Sequence, residues 1–281
     1  MLLSLDDIHV NFGAVRALAG VSLHVDGGEV VGVVGALGSG KTTLMRLVAG
    51  LEQATQGDVS FDGRALGASP WDARARSGIV FVPADGGLFP ALSVAENLML
   101  AEPKQSDGAR RRPLYELFPI LEERVQQYAG SLSGGEQRQL AIARGALSTP
   151  RLLLLDEPLL GLSPVTARSV ITLVREMRGA GVAIVVAEER PTEDLEAVAD
   201  RLIGLHLGHV VPAADVARVA QRRHGATGEL DRVDLETIGL PLSTRDRRAL
   251  QTIAQVSGVP VGELIAEVLH EHVEQHQEVW Q

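Results

Sequence analysis

The chain has 281 residues, 45% of them apolar, with a formal net charge of -10 and no cysteine. That length buries a large core and predicts one large and one small domain, while the cysteine count excludes disulfides and the acidic balance argues against general binding to DNA or anionic lipid. No apolar run reaches the roughly 18–20 residues that span a bilayer, and the start MLLSLDDIHV has neither a basic region nor a cleavage site, so a membrane role is expected only through a partner.

In chain order, strands are predicted near Leu2–Val10, Val21–Val25 and Val30–Val34. The third is followed by ALGSGKTT, where Gly35, Gly40, Lys41 and Thr42 fit the pattern G-x-x-x-x-G-K-[ST]. Backbone N–H groups must point inward around phosphate oxygens there, which leaves no room for Cβ atoms. A helix over Lys41–Ala49 then aims its positive end at the same anion. Gly35, Gly38, Ser39, Gly40, Lys41, Thr42 and Thr43 are the candidate nucleotide-binding residues. Lys41 is expected to reach the β- and γ-phosphates, and the Thr42 hydroxyl to bind Mg²⁺.

Further strands are predicted at Val59–Phe61 and Ile79–Val82, and a helix at Val94–Met99. Residues 103–131 read as an irregular helical region in which Arg110, Arg111 and Arg112 are expected to be a solvated loop. LSGGEQRQLAIARGAL follows, with a helix from Gly135 to Leu147 and Ser133 able to cap it. Leu152–Leu155 is a continuous apolar run that suits a strand covered on both faces. Two carboxylates stand at its exit: Asp156 to hold Mg²⁺, and Glu157 to orient and deprotonate water. A helix over Val165–Met177, a strand over Ile184–Ala187 and a helix over Thr192–Ala199 complete this part.

The run Leu132–Leu147, lying between the phosphate loop and the acidic strand end, resembles the signature motif of ATP-binding cassette (ABC) ATPases, and residues 3 to about 212 resemble the family throughout. The resemblance implies an α/β P-loop core with an N-terminal antiparallel β subdomain, a helical subdomain at about 91–150 and a closing strand pair within 199–211. It implies ATP and Mg²⁺ as ligands, with Ser133, Gly134 and Gly135 binding a γ-phosphate held by a second ABC subunit, in a homo- or heterodimer. It also places Phe12 against adenine, flanked by Val15. VPADGGLFPALSVAENLML, residues 82–100, resembles the loop that meets an integral membrane permease. That wording, with GLSP after the acidic pair, looks most like the ATPases of branched-chain amino-acid importers.

Two positions depart from the family. Ala84 stands where a Gln or Glu usually joins Mg²⁺ and water to the membrane-facing surface, and Glu189 stands where most members carry a switch histidine. Alanine offers no polar group, and an ionised carboxylate repels a γ-phosphate. The chain's own site is therefore expected to bind ATP and hydrolyse it slowly, with its signature serving a partner's site. A rival reading has Glu189 protonated or turned away and Arg190 or Glu188 taking over.

Residues 1–222 are read as the nucleotide-binding domain and 223–234 as a linker. Residues 235–281 are read as a strand-helix-helix unit that resembles the ribbon-helix-helix fold, with Ile238, Leu240 and Leu242 expected to alternate in its strand. Such units commonly read DNA. Residues 225–281 hold ten acidic residues against four arginines, however, so dimerisation or protein contact is preferred to DNA binding. His270, His272 and His276 fit a polar helix end better than a metal site. The expected function is an ATP-hydrolysing importer subunit, cytoplasmic and peripheral on the inner face of the membrane. The alternative is a soluble or regulatory ABC ATPase whose C-terminal unit mediates dimerisation or DNA binding.

Overall fold

In the computed structural model of the chain, residues 1–13, 15–103 and 108–216 are described. The expected linker and the unit at 235–281, with its histidines and arginines, lie outside them. The described residues fall in one compact unit over residues 1–217.

The chain opens with strands β1 (Leu3–Phe12) and β2 (Val15–Val25), paired antiparallel from Leu3↔Val25 to Phe12↔Val15. β2 is twice as long as the sequence pattern predicts. Its first half alternates poorly because the register slips where Asp7, at φ 47°, and Gly20, at φ 73°, interrupt the ladder. β3 (Val30–Val34), helix α1 (Lys41–Ala49), β4 (Gln56–Phe61) and the two-residue β5 (Arg64–Ala65) follow. Next come α2 (Trp71–Arg76), β6 (Ile79–Val82) and α3 (Val94–Met99). The irregular stretch resolves into α4 (Arg111–Leu117), α5 (Pro119–Glu123) and a 3-10 turn, η1 (Ala129–Ser131). α6 (Gly134–Leu147), β7 (Leu152–Asp156), α7 (Pro164–Gly179), β8 (Ala183–Glu188), α8 (Glu193–Glu196), β9 (Arg201–His206) and β10 (His209–Pro212) complete the order.

One sheet runs β2-β1-β4-β5 and is antiparallel; the other runs β10-β9-β3-β8-β7-β6, parallel except for β10 at its edge. Every residue of β3, β7 and β8 is buried, because the two faces of the second sheet meet different cores. Val30, Val34, Leu153, Leu155, Ile184 and Val186 face one that also holds Leu98, Phe118 and Leu140 of the helical region. Val31, Val33, Leu152, Leu154, Ala183 and Val185 face the other, with Leu44, Met45 and the strands of the first sheet. Coverage on both sides turns the usual in-out alternation into uninterrupted apolar runs.

Three expectations need correction. Arg111 is not a solvated loop residue: it opens α4, and its Nε and Nη2 donate to both carboxylate oxygens of Glu102 at 2.8 and 2.7 Å. α8 ends at Glu196 rather than running on to residue 199, because Asp200 is drawn into the sheet, donating its N–H to Val30 O at 2.8 Å and accepting from Val30 N at 2.9 Å. β5 and α2 were not expected at all.

Among the described residues Arg74 of α2 is the largest fully buried side chain. It donates to the carbonyls of Leu47 (2.7 Å), Val48 (3.2 Å), Gly67 (2.8 Å) and Ser69 (3.0 Å), so a guanidinium serves as the cap for the last turn of α1. Removing it takes the guanidinium donors from all four carbonyls, of which Leu47 O keeps the Gly50 N–H at 3.1 Å. Arg74→Met should therefore destabilise the protein by about 3 kcal/mol in urea unfolding, within the range for breaking a buried charged hydrogen-bond set.

Candidate nucleotide site

The carboxyl ends of β3, β7 and β8 stop together, since Val34 pairs with Glu188 and Asp156 with Ala187. From the end of β3 the loop of residues 35–40 turns into α1. Gly40 caps that helix at φ 104°, where a Cβ would come 2.6 Å from Ala17 O. At Gly35 a Cβ would meet Leu205 O at 2.3 Å and Ser39 Oγ at 2.4 Å. Glycine is required at both places by packing. At Gly38, φ 79°, a Cβ would meet nothing within 4 Å, so there only the left-handed backbone asks for it. The turn between β9 and β10 closes over this loop, with Gly208 N donating to Ser39 O at 3.0 Å.

Unlike α3 and α6, which begin with Ser93/Glu96 and Ser133/Glu136 capping boxes, α1 has no side-chain cap and no acidic residue in its first turn. Its N–H groups and dipole are left to an anion. Lys41 is 4% exposed. Its ammonium donates to Gly35 O at 2.7 Å and Ala36 O at 3.2 Å and lies 3.8 Å from Glu157 Oε1. Thr42 and Thr43 follow on the first turn.

Asp156 is buried with both carboxylate oxygens lacking a hydrogen-bond partner, and the Ser39 hydroxyl is in the same condition. Burial raises the Asp156 pKa and the Glu157 charge adds to it; Thr42 and Lys41 pull it down, Thr42 without a contact of full hydrogen-bond geometry. Two orphaned carboxylate oxygens beside a threonine hydroxyl are the donor set of a hard divalent cation that keeps most of its other ligands as water and phosphate oxygens. The residues present fit MgATP.

Glu157 sits at φ 49°, beyond the end of β7, with its N–H donating to Ala187 O at 2.9 Å. Glu189, expected at the switch position, is exposed to solvent. Its neighbour Glu188 is 7% exposed and accepts from Leu159 N at 2.9 Å. Burial pushes the Glu188 carboxyl up to about 7 and the Glu157 charge adds to it, opposed by the Leu159 N–H, Arg138 and Lys41. Ala84 projects only a methyl group, and its carbonyl accepts from Arg138 Nη2 at 3.0 Å. Arg138 was missed from sequence, because nothing local to QRQL shows which distant carbonyls the guanidinium meets.

Of the remaining candidates, Phe12, Val15, Ser133 and Gly134 lie on open surface, and Gly135 is half-buried. Phe12 and Val15 are 48% and 66% exposed and face each other across the β1–β2 turn. Ser133 is the N-cap of α6, which begins one residue earlier than expected, at Gly134; a Cβ on Gly134 would meet nothing within 4 Å. No packing among the described residues calls for glycine there. Among the described residues no helix is long and apolar enough to cross a membrane.

The ABC transporter family model matches residues 18–160. The high-affinity branched-chain amino acid transport ATP-binding protein BraG of Pseudomonas aeruginosa is 38% identical over 213 residues, 75% of this chain and 91% of that protein. The lipopolysaccharide export system ATP-binding protein LptB of Escherichia coli is 33% identical over 74% of this chain and 88% of its own length. A solved ATP-binding subunit of an ABC transporter superposes with a TM-score of 0.68 at 27% identity, covering 79% of this chain and 95% of that one. The chain, with its loop of residues 35–43, the acidic end of β7 and the glycine-fronted α6, belongs to the ABC transporter family as an ATP-binding, ATP-hydrolysing subunit.

Proposed function

We propose that the chain energises a branched-chain amino-acid importer and that its own ATP site is the slow one of a dimeric pair. The importer reading is carried by the 38% identity with BraG across 91% of that protein, together with the wording of residues 82–100. The LptB match, at 33% identity, is to an export system's ATP-binding protein, so the importer reading leans on the higher identity to BraG.

In this reading the N–H groups of residues 38–43 and the Lys41 ammonium hold the β- and γ-phosphates, and Phe12 with Val15 takes the adenine. Thr42 and Asp156 hold Mg²⁺, which when bound supplies positive charge to the phosphate oxygens. Glu157 accepts the proton of the attacking water at its carboxylate. Ser133, Gly134 and Gly135 meet the γ-phosphate bound by the other subunit, which accounts for the open surface at Gly134. The membrane partner is the permease, docked on residues 82–100.

Slow turnover follows from side-chain chemistry. Ala84 cannot order water. Glu189 brings a solvent-facing negative charge to the place where a donor to the γ-phosphate is needed. Purified chain should bind ATP yet turn it over at least about tenfold more slowly than Ala84→Gln plus Glu189→His, with steady-state phosphate release as the measurement. Brisk wild-type turnover, unimproved by the pair, would refute the slow-site reading.

Glu188 adds a pH signature. Its folded pKa of about 7 lies above the ordinary glutamate value of 4.5, so between the two the folded chain holds a proton that the unfolded chain releases. Stability is therefore undiminished below about 4.5, falls as pH rises towards 7 and levels off above. Glu188→Gln keeps an oxygen for Leu159 N–H and removes the charge. Its stability relative to wild type should improve by roughly 2 kcal/mol between pH 5 and pH 8 in urea unfolding.

A further inference from the structure

Arg138 stands on the second turn of α6, and its guanidinium joins two segments that are remote in sequence. Nη1 donates to the carbonyl of Glu157, and Nη2 to the carbonyl of Ala84 at 3.0 Å. The Glu157 backbone is in the left-handed region that side-chain-bearing residues rarely adopt, so its neighbours must hold it there. Ala187 O receives its N–H at 2.9 Å; Arg138 and Leu160 N, the latter at 3.3 Å, donate to its carbonyl. On the other side, Ala84 is the second residue of the loop after β6 and has only a methyl group, too short to reach the site. The connection from that loop to Glu157 thus runs backbone to backbone through one guanidinium. Two turns further along α6, Arg144 Nη2 donates to Gly87 O at 2.6 Å, so the same helix grips the same loop again without touching Glu157.

We propose that Arg138 is a positioning residue that transmits displacement of residues 82–100 to Glu157. The proposal rests on the reading of Glu157 as the base and of residues 82–100 as the permease-facing segment. Arginine reaches the two carbonyls with two separate nitrogens held in a planar fork, whereas lysine would have to meet both from one nitrogen on a more flexible stem.

The test uses the full chain with Arg138→Lys and Arg138→Gln, each also placed in the Ala84→Gln plus Glu189→His background, where turnover is easier to measure. Amide hydrogen exchange is followed at residues 82–90, 156–162, 140–147 and 41–49, alongside ATP turnover. Both variants should exchange faster at 82–90 and 156–162 while the other two segments stay as in wild type. Turnover should fall about tenfold with the KM for ATP held within about twofold, and lysine should not rescue it. Unchanged exchange at either loop, faster exchange along all of α6, or full turnover in Arg138→Lys would overturn the proposal. Failure of the unsubstituted chain to bind ATP would instead overturn the proposed function, and the exchange pattern would still report on the Arg138 link.

Discussion

A single buried ammonium, that of Lys41, faces a ring of carboxyl groups. Its hydrogen bonds to Gly35 O and Ala36 O pin it inside the phosphate loop, 3.8 Å from Glu157, and the unpartnered Asp156 carboxylate lies within electrostatic range. Lys41 and Arg138 are two cations against the three carboxyl groups of Asp156, Glu157 and Glu188, so the pocket is short of positive charge, and the low polarity around it magnifies the deficit. Burial lessens the problem by holding Glu188 partly neutral near pH 7. The rest of the deficit explains why Asp156 keeps both oxygens unengaged and why α1 starts without a cap: the protein leaves room for a cation and an anion together.

That arrangement depends on strand ends meeting in register. β3, β7 and β8 are flat apolar runs whose alternate residues feed two separate cores, so none can slip by one position without exchanging its core-facing set. Glycine then permits the close approaches at the site. Gly32 accommodates Leu202, whose Cδ2 would lie 2.3 Å from a Cβ there, and Gly35 and Gly40 leave space for Leu205 O and Ala17 O. The helical region adds its own contribution through α6, whose arginines reach back to the loops that carry Ala84 and Glu157.

Residues whose role is set by neighbours in sequence were readable in advance. Val30–Val34, Lys41–Ala49, Ile79–Val82 and Val94–Met99 have their expected bounds because apolar run length, a glycine turn or a serine cap marks each end. Residues whose role is set by distant partners were not. Arg74 and Arg111 look like surface charges until the carbonyls around one and Glu102 beside the other are known. Likewise, Glu188 and Glu189 are the same residue type side by side, and only the packing of β8 tells which is buried and which faces water.

The charge deficit around Lys41 is tested most directly by calorimetric titration of ATP with and without Mg²⁺, on the wild-type chain and on Asp156→Asn. The account predicts that Mg²⁺ tightens ATP binding to wild type by about tenfold or more, and that Asp156→Asn still binds ATP but loses most of that dependence. Equal Mg²⁺ dependence in the two proteins would contradict it.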